Sequence, residues 1–474
     1  MPNETIPRTD PAGREAWLAA VARTLKGAPP GSLVTHTVGG LQIEPLYDAA
    51  IATEGLAAQA GWDIRARVEA TGPDAANALA LEALGGGAAS LLIEVDGAGI
   101  GSPADMARAL EGVVLEAAPV ALQAGLLGPL AAEWLAEAAK GSPAARLEFH
   151  LDPLSTFAQA GESPGPMEAH LRRAAEVAAS LADAYPQASL FLASGRTAHE
   201  AGGSPAQELG VMAAAAVAYA RAMAQAGLPT QAALGRITLG LSVDADVLVG
   251  VAKLRAARRI WARIAAACGA GAPARIEARS SHRMLTAADP WTNLLRLTLA
   301  GFAGAVGGAD ALVLGAFTDA LGRPAERARR LARNTQLILM EEAGLSHAAD
   351  PAAGAWAIEA LTDQLARQGW SVCQSIEGQG GLAAALISGF IAGEVAKVRD
   401  ARELAIGAGL QPILGVTDYP DPKPLPVEIE PAPGVATRRA APDIRLPGPD
   451  SHCPQLTPMR ISALAEAVAL DLAP

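Results

Sequence analysis

The chain has 474 residues, with 49 acidic against 37 basic side chains and a formal net charge of −12. That balance argues against a surface built to grip phosphate backbones and is the ordinary charge of an acidic, well-solvated protein. Half the residues are apolar but only 4% are aromatic, which suits an Ala-rich α/β protein with helices packed closely on a sheet, either several average domains or one large barrel with appendages. Cys268, Cys373 and Cys453 lie far apart with no metal or redox spacing, and are expected to be reduced and mostly buried. The N-terminal residues lack an apolar signal core. No window reaches the ~18 uninterrupted apolar residues of a membrane span. The expectation is a cytoplasmic protein with no membrane and no nucleic-acid partner.

Residues 1–13 are polar, with three prolines, and are expected to be disordered. Trp17–Lys26 predicts a short amphipathic helix, because Trp17, Val21 and Leu25 recur at helical spacing. The GAPPGS turn isolates that helix, so its apolar stripe either folds back on its own domain or docks on a partner. From Leu41 the pattern changes. Apolar runs occur at Gly61–Ala70, Ser90–Val95, Ala118–Gly125, Arg146–Pro153, Ala188–Gly195, Arg236–Val243, Ala274–Ser280 and Asp310–Phe317, and a further one is possible at Pro412–Thr417. Runs apolar on both parities read as strands covered on both faces, hence a parallel sheet. Long helical segments such as Ala206–Ala226 and Ala245–Gly269 separate them. Strand then helix, repeated about eight times, predicts an α/β fold of the (β/α)8 TIM-barrel type. A doubly wound open sheet is the runner-up, disfavoured because no Gly-rich dinucleotide fingerprint follows an early strand. After Thr417 the sequence is Pro-rich and aperiodic, linker-like, before a last short helix at Ile461–Asp471. The division expected is an arm at 1–44, a barrel at 45–417 and a tail at 418–474.

On such a barrel, chemistry sits at the C-terminal strand ends. Three predicted ends are polar: His150–Asp152, Ser194–Glu200 and Arg279–Arg283. Their histidines, arginines and carboxylates could converge on one mouth suited to an anionic or carbonyl substrate, with arginine as clamp and histidine as general acid. They could equally be polar loop residues satisfying backbone groups. Arg333–Gln336 is expected to open the helix that continues into Leu337–Glu342, with Asn334 or Thr335 as its cap. There is no P-loop, HExxH, GxSxG or nucleotide fingerprint.

Several stretches resemble the methylmalonyl-CoA mutase family of adenosylcobalamin-dependent isomerases. They are Asp289–Arg296 (DPWTNLLR), Gly307–Leu312 (GGADAL), Ala332–Glu342, Asp350–Ala366, Val251–Trp261 and Pro45–Tyr47, and the resemblance spans roughly residues 15–417. It implies a (β/α)8 domain in which a CoA thioester threads the barrel axis, and a radical interconversion of methylmalonyl-CoA and succinyl-CoA in which the cofactor does the difficult chemistry.

The sequence departs from the catalytic pattern. Where catalytic chains of the family read Ser-Gly-Tyr-His-Met-Gln-Glu-Ala-Gly, this chain has Ser194–Gly202 with Arg196 and Thr197 in place of the Tyr-His pair. Where they read Arg-Pro-Trp-Thr-Ile-Arg-Gln-Tyr, only Trp62, Ile64 and Arg65 match within Ala60–Arg67. Arg279–Met284 differs from the family's His-Ser-Gln-Thr-Ser-Gly-Trp, and no Asp-x-His-x-x-Gly cobalamin motif follows the linker. These departures, with the Trp17 helix, look like the small (β) subunit of the heterodimeric mutase. The resemblance then implies a large (α) catalytic subunit as partner, adenosylcobalamin and acyl-CoA handled at the level of that complex, and an arm docked on the partner. No residue of this chain is expected to be catalytic, and Tyr47, Arg65, His199, Arg279 and His282 would be vestigial substrate contacts. The alternative is a barrel-only mutase of another acyl-CoA that borrows its cobalamin domain from a separate chain.

Overall fold

The structure, a computed structural model, describes residues 11–47, 60–95, 98–142, 144–430 and 448–471. Helix α1 (Pro11–Thr24) comes first, and a two-residue antiparallel ladder follows, β1 (Thr35–His36) with β2 (Gln42–Ile43). Trp17, Leu18, Val21 and Leu25 are only half-buried. The barrel is built from β3 (Asp63–Val68), β4 (Ser90–Glu94), β5 (Val120–Gln123), β6 (Leu147–Leu151), β7 (Ser189–Ser194), β8 (Ile237–Val243), β9 (Ile276–Ser280) and β10 (Ala311–Val313). All are parallel in sequence order, and β10 closes on β3 through Ala311 opposite Asp63 and Leu312 opposite Ile64. This is the (β/α)8 architecture expected from the repeating strand–helix pattern.

Both parities of the strands are covered, which is why they read as unbroken apolar runs: Leu91, Leu92 and Ile93 are fully buried, and so is every residue of β8. The helices of the outer layer are kept close by small side chains. Helix α8 (Pro205–Gln225) buries Ala213–Ala216, and α13 (Trp356–Gly378) crosses it where Gly210 meets Val372 and Gly369 meets Leu209. A Cβ at either glycine would clash, so the abundance of Ala and Gly is the means by which this layer packs without many aromatics.

The stretches shared with the mutase family act as brackets for the barrel. Arg258, on α10 (Val247–Ala267), donates to the Gly308 carbonyl at 2.5 Å and to Asp310 Oδ2 at 2.9 Å, while Ile276 N donates to the same carboxylate at 2.7 Å. Asn293 closes the turn before its own helix, α11 (Asn293–Val306), donating to Thr286 O at 2.8 Å and Phe317 O at 3.0 Å. Arg255 pairs with Asp350 and Glu359.

Three expectations are corrected. Arg333–Gln336 forms the last turn of α12 (Glu326–Leu337), and a π-helical turn (Ile338–Glu342) follows. The helix starts directly after Pro324-Ala325, so Thr335 caps nothing and bonds back to Leu331 O at 2.9 Å, while Gln336 accepts from the buried Trp62 indole at 3.1 Å. Pro412–Thr417 is no strand; only an isolated bridge joins Leu414 to Asp418, because no barrel edge remains to pair with. Only Cys373 is buried, whereas Cys268 is exposed just past the end of α10 and Cys453 is half-buried. The expected disorder of residues 1–13 falls mostly on positions outside the described residues, and the helix begins at Pro11.

Residues 448–462 return to the C-terminal end of the barrel and run along its rim as a strap. Cys453 N donates to Gly161 O (2.9 Å), Leu456 N to Ala158 O (2.8 Å), Met459 N to Glu200 O (2.8 Å) and Ile461 N to Arg283 O (2.9 Å). Leu456, Met459, Ser451 and Ser462 are buried beneath it. The closing helix α16 (Ala463–Asp471) is tied down by Glu466, whose carboxylate accepts from Ala287 N at 2.7 Å and Ala288 N at 3.2 Å.

Candidate functional site: a divided barrel lumen

Two cavities lie at the two ends of the barrel, of about 750 Å³ at the C-terminal mouth and about 740 Å³ at the N-terminal face. His150 and Arg279 line the first, Glu148 and Glu277 the second. Between them runs a septum of charged side chains. Arg65 on β3 donates Nη1 and Nη2 to the two oxygens of Glu148 on β6 at 2.9 and 2.8 Å, and Nη1 also reaches Glu277 Oε2 on β9 at 2.6 Å. Its Nε bonds Ser90 Oγ at 3.1 Å. Arg279 donates Nε to Glu277 Oε1 at 2.7 Å and Nη1 to Gln123. Alternation along each strand aims these residues into the lumen.

The septum is buried, and it balances: two guanidiniums face two carboxylates. Burial alone would raise both carboxylic acids, but the neighbouring guanidiniums outweigh it. Arg65 holds Glu148 well below the usual carboxylate range, and Arg279, then His150 and Arg65, take Glu277 down to about 2. His150 sits beside them with φ of +46°, an uncommon conformation for a non-glycine residue, at the register break between Glu148 and Leu151. Its Nε2 approaches Glu148 Oε2 to 2.8 Å without the alignment of a hydrogen bond. Glu148, His150 and Glu277 offer ligand atoms within 4.8 Å of one another, close enough for a metal ion. The two guanidiniums already occupy the carboxylate oxygens, so the cluster carries its own counter-cations.

The mouth cavity is walled by strand ends and by the strap, whose His452 and Pro458 belong to its lining. Arg67 on β3 faces Asp319 at 3.4 Å and Glu94 at 3.6 Å. Glu200 accepts from the backbone N–H of His282 at 3.3 Å and of Arg283 at 3.0 Å. Asp152 caps α5 (Pro153–Ala160) by accepting from Ser155 N at 3.2 Å, and it also accepts from the Tyr219 hydroxyl. Burial pushes its carboxyl up to about 6. Arg196 opens the five-residue helix α7 (Arg196–Glu200). Gly195 before it lies against the Glu208 carbonyl, leaving no room for a Cβ.

The residues singled out in the sequence separate into groups. Arg196, Thr197, Arg279 and His282 line the mouth, together with His150 and Asp152; Arg65 lies in the septum below. His282 Nε2 faces the Asp319 carbonyl at 3.3 Å. Tyr47 is not among the lining residues, and its hydroxyl accepts from Glu44 N at 3.1 Å. His199 points out of the lumen into the layer between strands and helices. There its Nε2 is 2.8 Å from Ser281 Oγ, its Nδ1 is 3.2 Å from Glu208 Oε2, and Lys253 pairs with Glu208 at 2.5 Å. Burial and the charge of Arg283 keep the imidazole below its ordinary range. The order Ser–His–Glu is that of a nucleophile and its base, but Ser281 is buried and does not line the mouth, so no carbonyl substrate can reach it. It is a bracket joining β9 to α8 and α10. Sequence reasoning missed Glu148, Glu277 and the strap. A carboxylate inside an apolar strand run, as in LEFHL and IEARS, is the signal that marks the first two.

A closed parallel (β/α)8 barrel with a divided lumen defines the class of protein. The comparisons with known proteins give the family. Residues 88–441 match the sequence model of the family described as Methylmalonyl-CoA mutase. The chain is 39% identical over 379 residues to the methylmalonyl-CoA mutase small subunit of Streptomyces virginiae, covering 79% of this chain and 61% of that one. It is 38% identical over 376 residues to the probable small subunit of Mycobacterium tuberculosis (76% and 59%), and 31% over 467 residues to the small subunit of Propionibacterium freudenreichii subsp. shermanii (90% and 72%). The chain therefore belongs to the methylmalonyl-CoA mutase family. It spans about three fifths of the length of the first two of these relatives.

Proposed function

We propose that this chain is the small, non-catalytic barrel subunit of a heterodimeric, cytoplasmic methylmalonyl-CoA mutase, carrying no turnover of its own. The observation that carries this reading is the septum. If a thioester were to thread the axis, as the resemblance implies, it would have to displace Arg65 from both Glu148 and Glu277, leaving the buried Glu148 without a guanidinium and Glu277 with Arg279 alone. Arg196 and Thr197, standing where catalytic chains have Tyr-His, support the same conclusion.

Adenosylcobalamin would supply radical initiation in the complex, held by the large subunit. The chain's own backbone from Cys453 to Ile461 bonds to loops on the rim of the mouth, which supports a corrin held by the partner. We assign residues 1–44 as the arm that docks on the large subunit, supported by the half-buried Trp17, Leu18, Val21 and Leu25 on α1. Tyr47, Arg65, His199, Arg279 and His282 are then not substrate contacts in this chain.

Among the described residues no helix is long and apolar enough to cross a membrane. The test is isomerisation of methylmalonyl-CoA by the purified chain with adenosylcobalamin, with and without the large subunit. Activity only with the large subunit is expected. Turnover by the chain alone, or by the chain with a free cobalamin-domain protein, would overturn the reading, the second outcome in favour of a barrel-only mutase.

A further inference from the structure

We propose that the mouth is a binding site for a free small-molecule oxyanion, a carboxylate or a phosphate, with Arg196 as its cationic contact. The inference begins from an inventory of charge around the cavity. Most of its other charged groups already have partners: Arg67 has Asp319 and Glu94, Arg279 has Glu277, Glu200 has two backbone N–H groups, and Asp152 has Ser155 N and the Tyr219 hydroxyl. Glu162 is exposed at the rim and joins His452 through its backbone.

Arg196 differs. Its backbone is fixed by an N–H to Ser194 Oγ bond at 3.2 Å, its Nε is buried without a hydrogen-bond partner, and no ion pair reaches its guanidinium among the described residues. Burial, then the charge of Arg279, push it down to about 10, with Glu200, Glu277 and Glu208 offsetting only part of this. A half-buried guanidinium with a buried, unpartnered Nε, lining the same cavity as a second guanidinium, is stabilised by an anion placed between them, and its planar fork matches a carboxylate or phosphate.

The shape of the cavity defines the ligand class further. The septum shuts the floor to a pantetheine arm threading the axis, and the strap adds His452 and Pro458 to the wall, so the space suits a free anion of metabolite size. The apolar walls, Leu122, Leu192, Leu285, Val313 and Pro458, favour an organic anion with a short hydrocarbon body.

The experiment is calorimetric titration of the full chain with succinate, inorganic phosphate and succinyl-CoA, repeated on Arg196→Gln and Arg196→Lys. Saturable binding of succinate or phosphate is expected, weakened about 10- to 100-fold in Arg196→Gln and partly restored in Arg196→Lys. The preferred anion distinguishes a carboxylate site from a phosphate site. Arg196 has no ion pair to lose, so an unchanged thermal unfolding curve for Arg196→Gln without ligand separates lost binding from lost fold. Absence of saturable binding by both free anions, or equal binding by wild type and Arg196→Gln, would overturn the proposal. Succinyl-CoA binding more tightly than succinate through Arg196 would instead overturn the closed-lumen reading and leave the anion contact standing.

Discussion

The septum and the mouth above it are built from the same residue types, yet their charges are in opposite states. In the septum every charged group of the Arg65–Glu148–Glu277–Arg279 set is matched, with Arg65 bonded to three different side chains. At the mouth, Arg196 has no ion pair among the described residues, beside Arg67 and Arg279 that do. A matched buried network fixes structure, because removing one member strands the others. An unmatched, cavity-facing charge contributes little to the fold and is free to meet a ligand. Position in the barrel is therefore not what separates scaffold from site; commitment of charge is.

Replacing Arg65 with Met should produce the largest effect. Two buried carboxylates lose their shared guanidinium, and urea unfolding at neutral pH should show a loss of about 3–5 kcal/mol. The pH dependence should invert. In the wild type Glu277 has a folded pKa of about 2, so its stabilisation is complete above the ordinary glutamate range and is lost as pH falls through about 2. In Arg65→Met the carboxylates become easier to protonate, so stability should recover on acidification. A variant as stable as wild type would mean that the septum is dispensable.

Leu456→Ala tests whether the strap belongs to the wall. Its side chain is buried, and the loss should be about 2 kcal/mol, at the low end for a core leucine because a surface strap can settle into the gap. Limited proteolysis should cut near residue 456 faster in the variant. Equal cleavage would show that the strap is held by its backbone bonds alone.

Asp152→Asn should have the smallest effect, and one confined to pH. Asparagine retains an oxygen for Ser155 N and the Tyr219 hydroxyl but cannot titrate. In the wild type the raised pKa means stability is greatest below the ordinary aspartate range and is lost as pH rises through about 6, by on the order of 1 kcal/mol. The variant should lack that slope in a series of thermal unfolding curves.

The strand–helix repeat made the barrel legible, since each strand covered on both faces writes an unbroken apolar run. The same pattern suggested a strand at Pro412–Thr417, but pairing is decided by whether an edge is open, and β10 had already closed on β3. Arg196, Arg279 and His282 could be picked out because they follow strand ends. His199 could not be excluded on that basis, because its direction depends on the turn of α7 and on Glu208 and Ser281, respectively nine and eighty-two residues further along the chain. Tyr47 was placed by resemblance alone.

The sequence by itself determined the family, the barrel and the replacement of the Tyr-His pair by Arg196-Thr197, because local patterns and motifs are written in consecutive residues. Only the tertiary structure decided that the lumen is divided and that the strap joins the rim of its mouth. Arg65 meets Glu148 and Glu277 across 83 and 212 residues, and a Pro-rich segment with no periodicity finds its place only once the strand ends it bonds to have been assembled. Charge balance in a buried space depends on which side chains meet there, and that is fixed by barrel closure and strand register rather than by any single stretch of chain.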